Sequence, residues 1–141
     1  MKKIILSILL IVFFTACSNE TMQGYLTVEC VKIDNFNNTK NTNTISIKHK
    51  DNVVTNMKYS YKYETEDSYA LDAYKQSLIT DSNKYKNTSV IISNNEISNS
   101  FEMIYDIDIS NIENSIKKEL DIEELSNNQI KKLEKEGYSC R

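Results

Sequence analysis

The sequence predicts an α+β fold: an antiparallel β-sheet in the order β-β-β-α-β-β-α-α, with its helices packed on one face. Three observations predict it. Several stretches alternate apolar and polar residues, the period of a strand with one covered face. One mid-chain stretch and the last thirty residues instead carry apolar residues three and four apart, the period of a helix. The strands that read most clearly set tyrosine and isoleucine on one side and lysine, aspartate or glutamate on the other, so only one sheet face asks for a cover.

The first strand is expected over Tyr25–Ile33, with Leu26, Val28 and Cys30 on one side and Thr27 and Glu29 on the other. The next stretch, NFNNTKNTN, is polar and turn-rich and reads as a loop. TISIKH and VVTNMKYSYKY then form a hairpin. Ile45, Ile47 and His49 share a face, and so do Val53, Met57, Tyr59, Tyr61 and Tyr63. Both sets fall on odd numbers, so a three-residue loop, Lys50-Asp51-Asn52, is expected to pair Ile47 with Thr55 and Ile45 with Met57.

A helix follows over Glu66–Ile79, capped by Thr65, with Ala70, Leu71, Tyr74 and Leu78 as its apolar stripe. A second hairpin joins TSVIIS to EISNSFEMIYDIDIS through Asn94-Asn95, pairing Ile92 with Ile97 and Val90 with Asn99. Ile97, Phe101, Met103, Tyr105, Ile107 and Ile109 point inward; Glu96, Glu102, Asp106 and Asp108 point outward. The tail is helical. Ser110 and Glu113 make a capping box before Ile112, Ile116 and Leu120. A last helix starts at Ser126, with Gln129 completing a second capping box and Leu125 with Ile130 as a hydrophobic staple. Gly137 ends it in the left-handed conformation, which brings Tyr138 onto Leu133.

The chain opens differently. Lys2 and Lys3 precede an apolar run, Ile4–Phe14, broken only by Ser7, and then Thr15-Ala16-Cys17. This is a secretory signal, too short to span a bilayer. Its end matches the lipobox of bacterial lipoproteins, although Phe14 stands where Leu is usual. Residues 1–16 are therefore expected to be removed and Cys17 to carry diacylglycerol. Two or three acyl chains, palmitate among them, at ~0.8 kcal/mol per buried CH₂ hold a protein stably on a membrane. Ser18–Gly24 would be a short tether, and residues 25–141 a single domain. The expected location is the extracytoplasmic face of the cell membrane, or the outer membrane in a cell with two.

Without Lys2 and Lys3 the balance is 15 basic residues against 20 acidic, a net charge of about −5. That argues against nucleic acid, which needs a basic face. Cys30 and Cys140 remain as an even pair in an exported chain and are expected to form a disulfide.

Little in the sequence points to catalysis. His49 is the single histidine and closes a strand face beside a turn, a rim position rather than a zinc ligand or general base. Gly24 and Gly137 are the only glycines, so there is no phosphate-cradling loop. Glu102, Asp106 and Asp108 share a face but lack a calcium-loop pattern, and they suit the lysines Lys58 and Lys62 of the third strand. The LEKE stretch reads as a solvated helix face. No cofactor and no metal are expected. Tyr59, Tyr61 and Tyr63 at every second position are either core or a stacking platform for a sugar or peptide, and are the candidate ligand contacts.

Taken together, Thr15-Ala16-Cys17, DNVVTNMKYSYKY, Tyr85-Lys86-Asn87, YDIDI and the closing GYSC resemble the YehR-like family of small bacterial lipoproteins. The resemblance covers most of residues 17–141. It implies one α+β domain on a lipid anchor and brings no catalytic residues. The function expected is that of a non-enzymatic binding or interaction module of the cell envelope, meeting an envelope protein or a small ligand. The alternatives are a hydrolase using carboxylates such as Glu102 and Asp106, and a spacer with no ligand.

Overall fold

The computed structural model describes residues 24–141; the expected leader, the expected lipidation site Cys17 and the expected tether up to Gln23 lie outside the described residues. The chain runs through β1 (Leu26–Phe36), β2 (Thr39–Lys50), β3 (Val53–Thr65), α1 (Ser68–Ser82), a 3-10 turn (Asn83–Tyr85), β4 (Ile91–Ile97), β5 (Ser100–Asp108), α2 (Asn114–Glu119), α3 (Ser126–Lys135) and β6 (Ser139–Cys140). All six strands form one antiparallel sheet in the order β4-β5-β3-β2-β1-β6. The fold is α+β, as the periodicities predict. β3 and β4 run parallel with β5 between them, a connection that a tight turn cannot make; α1 supplies the crossover.

The core lies on the sheet face that α1 covers. Ile45, Ile47, Met57, Phe101, Met103 and Ile107 are nearly or fully buried, and Leu71, Tyr74 and Leu78 of α1 pack against them. The opposite face is polar over its central strands, where Lys58 and Lys62 of β3 stand directly across from Asp106 and Glu102 of β5, while Ile91 and Ile97 of β4 are exposed on it. The contacts they make differ from that simple pairing: Lys62 binds Glu64 at 3.0 Å, Ser60 donates to Glu102, and Asn56 donates to Asp106 at 2.8 Å.

Several local expectations are corrected. NFNNTKNTN is not a loop. Asn37 and Asn38, at φ 44° and 61°, form a two-residue turn, and the ladder between β1 and β2 runs from Phe36↔Thr39 onward. Backbone pairing holds these polar arms, which hydropathy does not register. The β2–β3 loop has two residues, Asp51 and Asn52 at φ 51° and 65°, not three. The odd-with-odd parity is restored by a bulge: His49 faces Val54, but Lys48 faces Asn56, leaving Thr55 as the extra residue. Ile47 therefore pairs with Met57, and Ile45 with Tyr59. The second hairpin turns at Ser98-Asn99 rather than Asn94-Asn95, pairing Ile92 with Tyr105 and Ile97 with Ser100. The asparagines lie in an extended edge strand, and the Asn99 carbonyl accepts from the Thr65 amide at 3.0 Å, which ties the true turn to β3. Ile97 consequently faces solvent, and Glu96 faces Lys75 of α1 at 2.6 Å.

The caps also move. Asp67, not Thr65, caps α1, its carboxylate accepting from the amides of Tyr69 and Ala70 at 3.0 and 3.1 Å. Thr65 instead accepts from the Asp67 amide. Neither capping box of the tail forms. Ser110 is held by Asp108, and α2 starts after Glu113 without a side-chain cap. At α3 the cap position is Leu125, so Leu125 is not a staple residue preceding the cap. The capping acceptor comes from the distant β2–β3 turn: Asn52 Oδ1 accepts from Ser126 Oγ at 2.7 Å and from the Asn127 amide at 3.0 Å. Gln129 turns the other way and accepts from the Glu123 amide. The end of α3 is as expected. Gly137 has φ +92°, its amide donates to Glu134, and the Tyr138 amide donates to Leu133 at 3.0 Å, the paired bonds of a Schellman stop.

That stop turns the chain into β6, whose Cys140 lies across from Cys30, and the two are joined by a disulfide. Glu29 and Arg141 exchange two backbone hydrogen bonds of 3.0 Å beside the bridge. The cysteines thus occupy the neighbouring non-hydrogen-bonded position, where opposed Cα atoms come closest; theirs are 4.0 Å apart.

Candidate functional site

Period-two placement puts Tyr59 and Tyr61 of β3 on the helix-covered face, with Tyr105 of β5 on the same face and directly across from Tyr59. Past the end of α1, the 3-10 turn swings Tyr85 back over this cluster. Tyr85 and Tyr105 meet edge-to-face with centroids 5.8 Å apart, and Tyr61 meets Tyr105 in the same way at 5.9 Å. These rings do not close on one another. Together with Leu78 and Leu120 they line a cavity of about 250 Å³, with Asp81 and Lys84 also in its wall.

The polar fittings divide the cavity into a buried floor and a charged wall. Tyr59 is buried, and its hydroxyl donates to the Leu120 carbonyl at 3.5 Å. Burial drives its ionisation far above the ordinary tyrosine range, and pushes that of Tyr61 up to about 12. Both hydroxyls are therefore neutral at physiological pH. Lys84 Nζ binds Glu119 of α2 at 2.6 Å, and Tyr85 donates to the same carboxylate at 3.2 Å. The bond with Glu119 raises the Lys84 ammonium above its usual range, and the bond with Lys84 lowers Glu119. With Lys84 neutralised, Asp81 leaves a net negative charge beside the cavity.

Of the three tyrosines singled out from the sequence, two meet here. Tyr63 does not: it stacks on Tyr74 of α1 at 4.5 Å and belongs to the helix–sheet seam. Lys84 and Tyr85 gave no periodic signal, because a single 3-10 turn after a helix has none, and Asp81 stands in the last turn of α1 outside its apolar stripe. A larger, open depression of about 960 Å³ lies at the β2–β3 hairpin end, with Lys48, Asp106 and Asp108 in its wall. Two of its three acids already accept from protein donors, Asp106 from Asn56 and Asp108 from Ser110 and Asn111; the third is Glu124. No group of three histidine, cysteine, aspartate or glutamate side chains is placed to hold a metal among the described residues. His49 sits half-buried on the covered face opposite Val54. No family model matches the chain, and no curated protein or solved structure is significantly similar to it.

Proposed function

We propose that the chain is a lipid-anchored, extracytoplasmic binding module, not an enzyme, that takes a small ligand into the tyrosine cavity. The observation that carries the reading is the cavity itself. Four tyrosines meet around a space of about 250 Å³ that the core leaves open. Ring faces carry negative charge and stack on apolar faces or cations, and the negative wall beside them disfavours anions. The ligand class that fits is a small neutral or cationic compound with one apolar face. The anchor rests on Lys2, Lys3, the apolar run and Ala16-Cys17. The same proposal places the chain beside the YehR-like lipoproteins, on the motifs quoted above.

The binding test titrates residues 24–141 with choline, phenol and N-acetylglucosamine, followed by NMR shifts of the tyrosine rings. At least one probe is expected to shift Tyr61 and Tyr105, and Tyr61→Ala is expected to weaken it about tenfold, the loss of one stacked ring face. A cavity that accepts none of the three favours the spacer. Glycan or peptide turnover abolished by Glu102→Gln would overturn the non-enzymatic reading. The anchor is tested by Cys17→Ala: processing and membrane retention equal to the parent would remove it.

A further inference from the structure

We infer that β4 is a self-complementary edge through which two copies of this chain join their sheets. Among the described residues nothing pairs with the outer side of β4, the terminal strand of the sheet. Exposed edges are usually guarded by lysine, proline or a bulge, or kept very short. β4 has seven residues, IISNNEI, with no lysine, proline or bulge; its one charge, the inward Glu96, is already paired with Lys75 of α1. The opposite end of the sheet is different, finished by a two-residue strand that is bonded through Cys140.

The occupant follows from symmetry. Two identical edges that pair antiparallel are related by a two-fold axis normal to the sheet, so each face continues into the same face of the partner. Opposed residues must then share a face, and their numbers must sum to an even value. Only the register centred on Asn94 pairs all seven residues of the strand. In that register Ile91 of one copy faces Ile97 of the other, twice over, and Ser93 faces Asn95. Ile91 and Ile97 are 69% and 61% exposed in the single chain, on the face away from the helices. They are the large apolar side chains that an edge strand is expected to hide. On the helix face Ile92 meets Glu96, the strand's one charge, and Glu96 is already neutralised by Lys75. No like charges oppose one another across the seam. A strand from an unrelated protein would have no reason to match both isoleucines at this spacing.

The test is cysteine crosslinking in the full chain expressed in a bacterial envelope, with mild oxidation and non-reducing gels. Asn94→Cys is expected to give at least about fivefold more covalent dimer than Lys118→Cys on α2, because residue 94 meets its own copy on the two-fold axis within disulfide reach. Ile91→Cys co-expressed with Ile97→Cys should crosslink. Ile91→Cys alone should not, since the two Ile91 positions lie about 20 Å apart in this register. Sedimentation gives a second readout free of engineered cysteines: Ile97→Lys should abolish the dimer and leave the circular dichroism spectrum unchanged. The inference is overturned if Asn94→Cys crosslinks no better than Lys118→Cys, if Ile91→Cys alone matches the mixed pair, or if Ile97→Lys retains the dimer.

Discussion

Opening the Cys30–Cys140 bridge tests the most concrete contact of the fold. The bridge closes a loop across a sequence separation of 110. Releasing that loop in the unfolded chain corresponds by chain entropy to about 5 kcal/mol, against the 2–4 kcal/mol that disulfides typically contribute. Against a total stability of about 5–15 kcal/mol for a domain, either figure is large. The structure also says where the loss begins. β6 is only two residues long and pairs with β1 alone, whereas α3 before it is also held by the Asn52 cap, by Leu133 in the core and by Lys32, which donates to the Glu136 carbonyl at 3.1 Å. Without the bridge, residues after Glu136 are expected to fray before the sheet does. The assay is urea unfolding of three forms: oxidised, reduced, and the double variant Cys30→Ser, Cys140→Ser. The midpoint should fall in the two open forms by the equivalent of about 2–5 kcal/mol. Amide exchange at Tyr138 and Arg141 should rise first. Equal midpoints for the oxidised and reduced forms, or two alkylatable thiols in protein taken unreduced from its native host, would refute the reasoning.

Three further outcomes follow from the contacts described. Asn52→Ala loses the two bonds that cap α3 and must hold a left-handed backbone at φ 65°, so it should cost about 2–3 kcal/mol in urea unfolding. Asn52→Asp keeps both features and should cost under about 1 kcal/mol; equal losses for the two would show the cap contributes nothing. Gly137→Ala has room, with Lys32 Cε 3.8 Å from the added carbon, but not the backbone freedom. It should lose about 1–2 kcal/mol, and a neutral result in thermal unfolding would contradict the left-handed stop. Raised tyrosine ionisation makes the fold sensitive to alkali. The unfolded chain releases its tyrosine protons above about pH 10, while Tyr61 holds its proton to about 12 and Tyr59 beyond that. This stability, on the order of 2 kcal/mol for Tyr61, is fully present below pH 10 and is lost as pH rises through 12. Tyrosinate absorbance from the buried rings should therefore appear together with loss of circular dichroism, and buried rings that titrate while the fold persists would contradict it.

The architecture was legible where side-chain alternation and burial coincide. β5 reads Phe101, Met103, Tyr105, Ile107 along one face in the sequence, and those residues are buried in the fold. It was illegible where backbone bonds act without apolar residues. The ladder of Asn35, Asn41 and Asn43 needs a partner strand to exist, and no local pattern announces one. Parity at the β2–β3 hairpin was a correct constraint with two solutions, a longer loop or a bulge. The bulge forms where the Thr55 carbonyl also accepts from Ile109 at 3.1 Å, a partner 54 residues on. The capping boxes failed for a related reason. Ser126 and Gln129 have the right spacing, but stronger partners at Asn52 and Glu123 take their side chains. At the cavity, Tyr59 and Tyr61 followed from period two, whereas Lys84 and Tyr85 arrive by a turn whose direction only the packed helix sets.

The strand order carries a consequence for how the polypeptide is completed. β1 is among the first parts of the described chain to emerge, and β2 and β3 can pair beside it at once as a meander. Its other neighbour, β6, follows only after both later helices. Cys30 therefore stays an open thiol through nearly the whole of synthesis, and the covalent closure reports that every intervening element has been made. A chain truncated anywhere before Cys140 would keep that thiol, so an alkylating probe could tell molecules that contain β6 from those that stop short of it.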